Sequence, residues 1–224
     1  MVKFKIDNKR YEIANRLTVE QWLEIMKWDY EHPPHWPKII AAATGAPVER
    51  LEEVADESQE IAIVFIAVVL NQRAKTEIKD FDTIKFGEWI DLDIYLNYGA
   101  DKYLQEILDI LSPETTMADE ALWVIERYSD WRLSIYKQYK TLFGLDVLPE
   151  DFEDSEEKPK DIAKSWYDVI IMLANEDILN IDAVTEQPLK QALNFMAWKK
   201  EKTLREQQEI LKQKRQYDLQ RNSR

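Results

Sequence analysis

Ile61-Ala-Ile-Val-Phe-Ile-Ala-Val-Val-Leu70 decides the fold class. It is the longest apolar run in the chain, ten residues with no Gly, Pro or charge. A run of that kind suits a helix buried all round or a central strand. Glu57 to Glu60 leads straight into it, and its length with no breaker predicts a buried helix; a central strand is the alternative. Either way it falls short of a membrane span, which needs about 20 apolar residues.

Working back from this run, helix signals dominate. Leu51 and Val54 mark a short inward-facing piece, and Thr44-Gly45-Ala46-Pro47 separates it from the apolar stretch Ile39 to Ala43. His32-Pro33-Pro34-His35-Trp36-Pro37 carries three prolines and must end the helix before it. That helix starts at Thr18-Val19-Glu20-Gln21, a capping box in which hydroxyl and amide side chain satisfy each other's backbone N–H groups. Leu17 and Trp22 fit a hydrophobic staple, and Trp22, Leu23, Ile25 and Met26 form one apolar face. Ahead of it, Val2, Phe4 and Ile6 alternate with Lys3 and Lys5, Asp7-Asn8 supply a turn, and Tyr11 and Ile13 resume the alternation. This predicts a small hairpin that must lean on helices for stability.

Toward the C-terminus, Thr76 to Phe86 reads as a linker or short strand pair. Phe86 opens a helix that Gly99 ends or kinks, and Tyr103, Leu104, Ile107, Leu108 and Leu111 form another that stops at Ser112-Pro113. Met117 to Phe143 reads as one long helix with Gly144 as its C-terminal cap residue. Residues 150–160, with six acids against two lysines, read as a solvated acidic loop. Trp166, Val169, Ile170 and Leu173 mark a further helix. Pro188 fits the first turn of the last one, whose core face carries Leu189, Leu193, Met196 and Ala197. The expected fold is mainly α: a bundle-like helical body with a small N-terminal β-hairpin and a projecting C-terminal helix. Its expected parts are residues 1–75, hairpin plus helical subdomain; 76–198, a second helical subdomain with the acidic loop; and 199–224, a basic helical extension.

Composition removes several functions. With no cysteine there are no disulfides, thiolate metal sites, iron–sulfur clusters or cysteine nucleophiles. The two histidines, His32 and His35, leave little for a metal site or a triad, and read as members of a proline-rich loop. Four glycines supply neither GxGxxG nor GxxxxGK[ST]. The start, MVKFKIDNKRYEI, has no long apolar region, so no secretory signal is expected there. A net charge of −13 argues against nucleic acid as the main partner. Asp91 and Asp93 could be read as paired catalytic carboxylates, but they fit acids near a helix N-terminus as well. The eight tryptophans read mostly as core or near-core, because no basic surround makes them a stacking platform for bases.

The last segment departs from the rest. Residues 199–224 hold nine Lys/Arg and four acids, a net +5, which leaves −18 on the remainder. Met196, Thr203, Ile210 and Tyr217 recur every seven residues, as do Ala197, Leu204 and Leu211. Such a narrow seam docks on one partner helix. The candidate partner-binding residues are therefore Met196, Leu204, Ile210, Leu211 and Tyr217. A frayed solvated extension and nucleic-acid contact by the tail alone are the competing readings. The tail could dock on the acidic body of another copy or on a different protein.

The N-terminal ribbon (Val2 to Ile13), the apolar helix from Ile61 and five further stretches, taken together, resemble a known family. The five are LTVEQWLEIMKWD (17–29), IIAAATGAPVERLEEV (39–54), TIKFGEWIDLDIYL (83–96), YLQEILDILSPE (103–114) and SWYDVIIMLANEDILNIDAVTEQPLKQALNFMAWKKEK (165–202). In this order they resemble the tail assembly chaperones of tailed bacteriophages and related phage morphogenesis proteins. Trp166, Asp177, Asp182, Pro188, Leu189, Leu193 and Lys199 hold the pattern in the last stretch. The resemblance implies a non-catalytic role without a cofactor: binding aggregation-prone tail components, chiefly the tape measure protein, and keeping them soluble in the host cytoplasm until tube subunits polymerise. The family is usually absent from the finished virion. This chain is longer and carries the extended basic helix, which leaves open a structural relative in the virion, such as a tail, baseplate or connector component.

Overall fold

The computed structural model describes residues 1–144 and 159–222, with side chains described for 1–144 and 162–215. The acidic loop expected at 150–160 falls almost entirely outside the described residues. The chain is mainly α, 68% helical, with eleven helices and one two-stranded sheet among the described residues. No helix among these residues is long and apolar enough to cross a membrane. The chain divides into two compact units, Met1–Lys79 with Tyr98–Ser129, and Asp80–Asn97 with Asp130–Arg224.

The first unit opens with the expected hairpin. Strands β1 (Val2–Ile6) and β2 (Lys9–Ile13) pair antiparallel with Val2 opposite Ile13 and Ile6 opposite Lys9. Asp7 and Asn8 take φ of 48° and 67°. Two consecutive left-handed residues make the turn whose twist matches that of the strands, and short Asp and Asn side chains tolerate that conformation. Ile13 is fully buried, and β2 packs on helix α2 (Trp36–Thr44).

Helix α1 (Val19–Ile25) begins with the predicted capping box: Gln21 N–H donates to Thr18 Oγ1 at 3.1 Å, and Thr18 N–H donates to Gln21 Oε1 at 2.9 Å. The Gln21 amide also donates to the Ala43 carbonyl at 3.0 Å, so one side chain both starts α1 and ties it to the end of α2. Thr18→Ala is expected to destabilise by about 1 kcal/mol, readable as a lower urea midpoint at unchanged slope. Gly45 follows α2 in the left-handed conformation, φ 71°, and closes it. A short helix α3 (Val48–Leu51) and the long helix α4 (Asp56–Leu70) complete this side, both against α2 or its neighbours.

Ile61 to Leu70 is thus a helix and not a strand. The expectation of burial all round is corrected: Ala62, Ile63, Ile66 and Val69 are buried, whereas Ile61, Val64 and Val68 are exposed. Asn71 caps the element at its C-terminus, and Arg73 just beyond pairs with Glu126 at 2.7 Å. Residues that return to this unit later in sequence are stitched in by backbone. Val19 N–H donates to the Thr116 carbonyl and Ala118 N–H to the Leu17 carbonyl, while Arg16 grips Asp119 through two 2.7 Å bonds.

Helices α5 (Phe86–Gly99), α6 (Leu104–Leu111) and α7 (Ala118–Gln138) follow. Gly99, at φ 116°, ends α5. Thr76 to Phe86 forms no strand pair. It runs irregularly to a 3-10 turn at Phe81–Thr83, capped by Asp80, and makes a single bridge between Lys85 and Pro188. The expected continuous helix from Met117 to Phe143 breaks at Tyr139, whose φ and ψ of −108° and 43° leave the helical region, and α8 (Lys140–Phe143) resumes beyond it. Gly144 then supplies the left-handed cap that the sequence placed there. Helices α9 (Pro159–Leu173), α10 (Ile181–Thr185) and α11 (Leu189–Asn222) complete the chain. Pro188 stands just before α11 and not in its first turn. Gln191 and Ala192 N–H groups donate to its carbonyl, a role that needs no N–H from the proline itself.

Candidate partner-binding site

Helix α11 has two halves with different surroundings. Its first turns are anchored in the second unit. Leu189, Ala192 and Leu193 are buried, and Tyr139 Oη donates to Asn194 Oδ1 at 2.9 Å. Lys190 pairs with Asp82 at 2.6 Å, and the Lys200 ammonium donates to the Thr141 carbonyl. Beyond that, every side chain from residue 201 to 215 is exposed.

Four of the sequence-predicted contact residues are placed on this helix with their side chains. Met196 is half-buried, and Leu204, Ile210 and Leu211 are 46%, 64% and 54% exposed. The Tyr217 side chain lies outside the described residues. At 3.6 residues per turn, about 100° each, Leu204, Ile210 and Leu211 prolong the face that carries Leu189, Ala192 and Leu193. The face that packs the helix base therefore continues into solvent. Its apolar residues fall in pairs seven apart, which suits one narrow partner helix and no broad groove wall. Lys and Arg are interspersed along this half of the helix, their stems apolar and their heads in water.

Two residues near the emergence point escaped sequence reasoning. Phe195 and Trp198 are about half exposed and stand against each other at 5.8 Å, with Lys202 Nζ 5.5 Å above the Trp198 ring. They lie on the far side of α11 from the seam. Trp198 departs from the core reading of the tryptophans. The only signal for it is its angular distance from Leu193 and Leu189 on the helix.

The paired-carboxylate reading of Asp91 and Asp93 is corrected. Two residues apart on a helix, they point to opposite sides, and both lie beyond the first turn of α5. Asp93 is 4% exposed and is the hub of a closed network within the second unit. Its Oδ1 accepts from Arg132 Nε at 2.9 Å, from Arg132 Nη2 and from Tyr136 Oη at 2.7 Å; its Oδ2 accepts from Trp166 Nε1 at 2.8 Å. Aromatic rings pack beside it. Trp89, fully buried, meets Trp131 and Tyr136 edge-on at 5.6 and 5.8 Å, and Phe86 meets Trp166 at 5.9 Å. The three donors and the charge of Arg132 leave this carboxylate committed to structure.

Burial, and then the adjacent Asp93 carboxylate, push the Tyr136 hydroxyl well above the ordinary tyrosine value. Its neutral form is the one the fold favours, so the stability it lends is full below pH ~10 and is lost as pH rises further. Tyr136→Phe should therefore lose about 1.5–3 kcal/mol at neutral pH and show a shallower loss of stability above pH ~10, measured by urea denaturation across pH.

Two open clefts lie in the second unit. One, of about 320 Å³, is lined by Lys85, Gly87, Glu88, Ile90, Asp91, Ile170, Thr185 and Glu186. Lys85 is held by Glu186 across it, and partial burial, with Glu88 beside it, raises the Asp91 carboxyl above its ordinary value. The other, of about 280 Å³, is lined by Asp168, Ile171, Met172, Asn175, Glu176 and Lys199. In the first unit, His35 Nδ1 accepts the Asp29 N–H at 3.2 Å and its ring meets His32 at 4.6 Å, which organises the proline-rich loop. Among the described residues no group of three or more His, Asp or Glu is placed to hold a metal ion.

Comparison with known proteins finds no family model, curated protein or solved structure that matches this chain.

Proposed function

We propose that the chain is a non-catalytic tail assembly chaperone of a tailed bacteriophage, which holds a tape measure protein by helix-to-helix packing in the host cytoplasm. The observation that carries this reading is α11: its anchored base delivers an apolar seam, Leu204, Ile210 and Leu211, into solvent with basic flanks. A long helical client with a hydrophobic seam offers the matching surface, and docking there hides both seams from aggregation. The acidic remainder, at −18, keeps the complex soluble through net charge. The resemblance in word order to tail assembly chaperones supports this choice of client. No covalent step is required, so neither a cofactor nor a metal enters the mechanism.

Co-expression with a tape measure protein from the same source tests the reading. Soluble tape measure protein should rise with this chain present and fall again with Leu204→Asp/Leu211→Asp. A tape measure protein equally insoluble with and without the chain ends the proposal. The length and basicity of α11 favour one second reading, a structural component of the virion. Mass spectrometry of purified particles separates the two: stoichiometric presence supports the structural role, and absence supports the chaperone.

A further inference from the structure

Helix α4 carries an unexpected outer face. Ile61, Val64 and Val68 are 64%, 58% and 55% exposed, in one row along the helix, while Ala62, Ile63 and Ile66 between them are buried in the first unit. The row spans about 10 Å, seven residues at 1.5 Å each. Isolated exposed aliphatics are ordinary on a protein surface, but a row of three beside a block of one charge has the form of an interaction site. Residues 48–60, which lead into the row, hold six acids against Arg50 alone, a net −5.

The exposed half of α11 has the complementary properties. Leu204 and Leu211 also stand seven residues apart on one face, with Ile210 beside them. Basic residues flank the pair at both ends, Lys199, Lys200 and Lys202 before and Lys212, Lys214 and Arg215 after, within a segment of net +5. Whichever way the helices run, the acidic block ahead of Ile61 meets lysines and arginines. Pairing α11 with another α11 would instead set two +5 segments side by side.

We propose that the outer face of α4 receives α11 of a second copy of this chain. Each copy then offers two different surfaces, a donor helix and an acceptor face, and the interface is heterologous. The inference rests on charge and pattern carried by this chain alone, so failure of the tape-measure reading leaves it standing, and the converse also holds.

Sedimentation velocity of the full chain over a concentration series tests it. The wild type should self-associate, and more weakly at high salt, because the complementary charges are exposed and screened. Val64→Asp in the acceptor face, and Leu204→Asp/Leu211→Asp in the donor helix, should each weaken association by at least about tenfold. Circular dichroism should stay at the wild-type value for both, since the replaced side chains face water. Ile61→Asp serves as a second acceptor variant. Mixing is decisive: the acceptor-face variant keeps an intact donor helix and the donor variant keeps an intact acceptor face, so together they should associate although neither does alone. A wild type that stays monomeric at all concentrations overturns the proposal. So does Val64→Asp associating like the wild type, or a mixture that stays monomeric. Protection of the α4 face only when tape measure protein is added would assign that face to the client and also overturn it.

Discussion

Asp93→Ala should cost about 3–5 kcal/mol of stability, the largest loss expected from any single substitution in this chain. Its carboxylate is 4% exposed and takes four hydrogen bonds from Arg132, Tyr136 and Trp166. Removing it strands the Arg132 guanidinium, whose side chain is only 20% exposed, together with two aromatic donors in a largely buried setting. For a chain of this size the loss corresponds to a melting temperature lower by roughly 10 °C. Asp91→Ala, two residues away on the other side of α5, should stay within about 0.5 kcal/mol. Urea denaturation of the two variants side by side decides the matter. Equal effects would mean that Asp93 holds nothing together.

Deleting residues 201–224 should do the reverse. Every described side chain in that segment is exposed, so folding loses almost no buried surface, and the melting temperature should move by no more than one or two degrees. Association through α11 should fall below detection, because Leu204, Ile210 and Leu211 leave together with most of the basic charge. Cutting earlier, after Ala197, also removes Lys200 and its bond to the Thr141 carbonyl, so a slightly larger thermal loss is expected there. Calorimetry and sedimentation of both truncations give the answer. A large drop in melting temperature on deleting 201–224 would show that this segment packs in its own chain.

The seam on α11 was legible because its period is local: residues seven apart face alike on any helix. That it meets solvent was not legible, since the same period serves a helix buried in its own domain. The row on α4 was hidden by a different ambiguity. Ile61 to Leu70 is apolar on every side, so no periodicity marks which face lacks neighbours. Asp93 shows the same limit for a polar residue. Its partners lie 39, 43 and 73 residues along the chain, and no spacing rule joins an acid to an Arg, a Tyr and a Trp at those distances. Trp198 was assigned with the other tryptophans on residue type, where its angular position on the helix was the better guide.

The amino-acid order by itself determined the capping box at Thr18 and Gln21, the left-handed turn at Asp7 and Asn8, the helix ends at Gly45, Gly99 and Gly144 and the mainly α class. Each of these rests on hydrogen bonds or backbone angles settled within a few residues. Tertiary structure alone decided the structural fate of Asp93, the break at Tyr139, the outer face of α4 and the assembly of each compact unit from two separate stretches. These depend on which surfaces meet across long separations in sequence, where burial and polar pairing outweigh local preference.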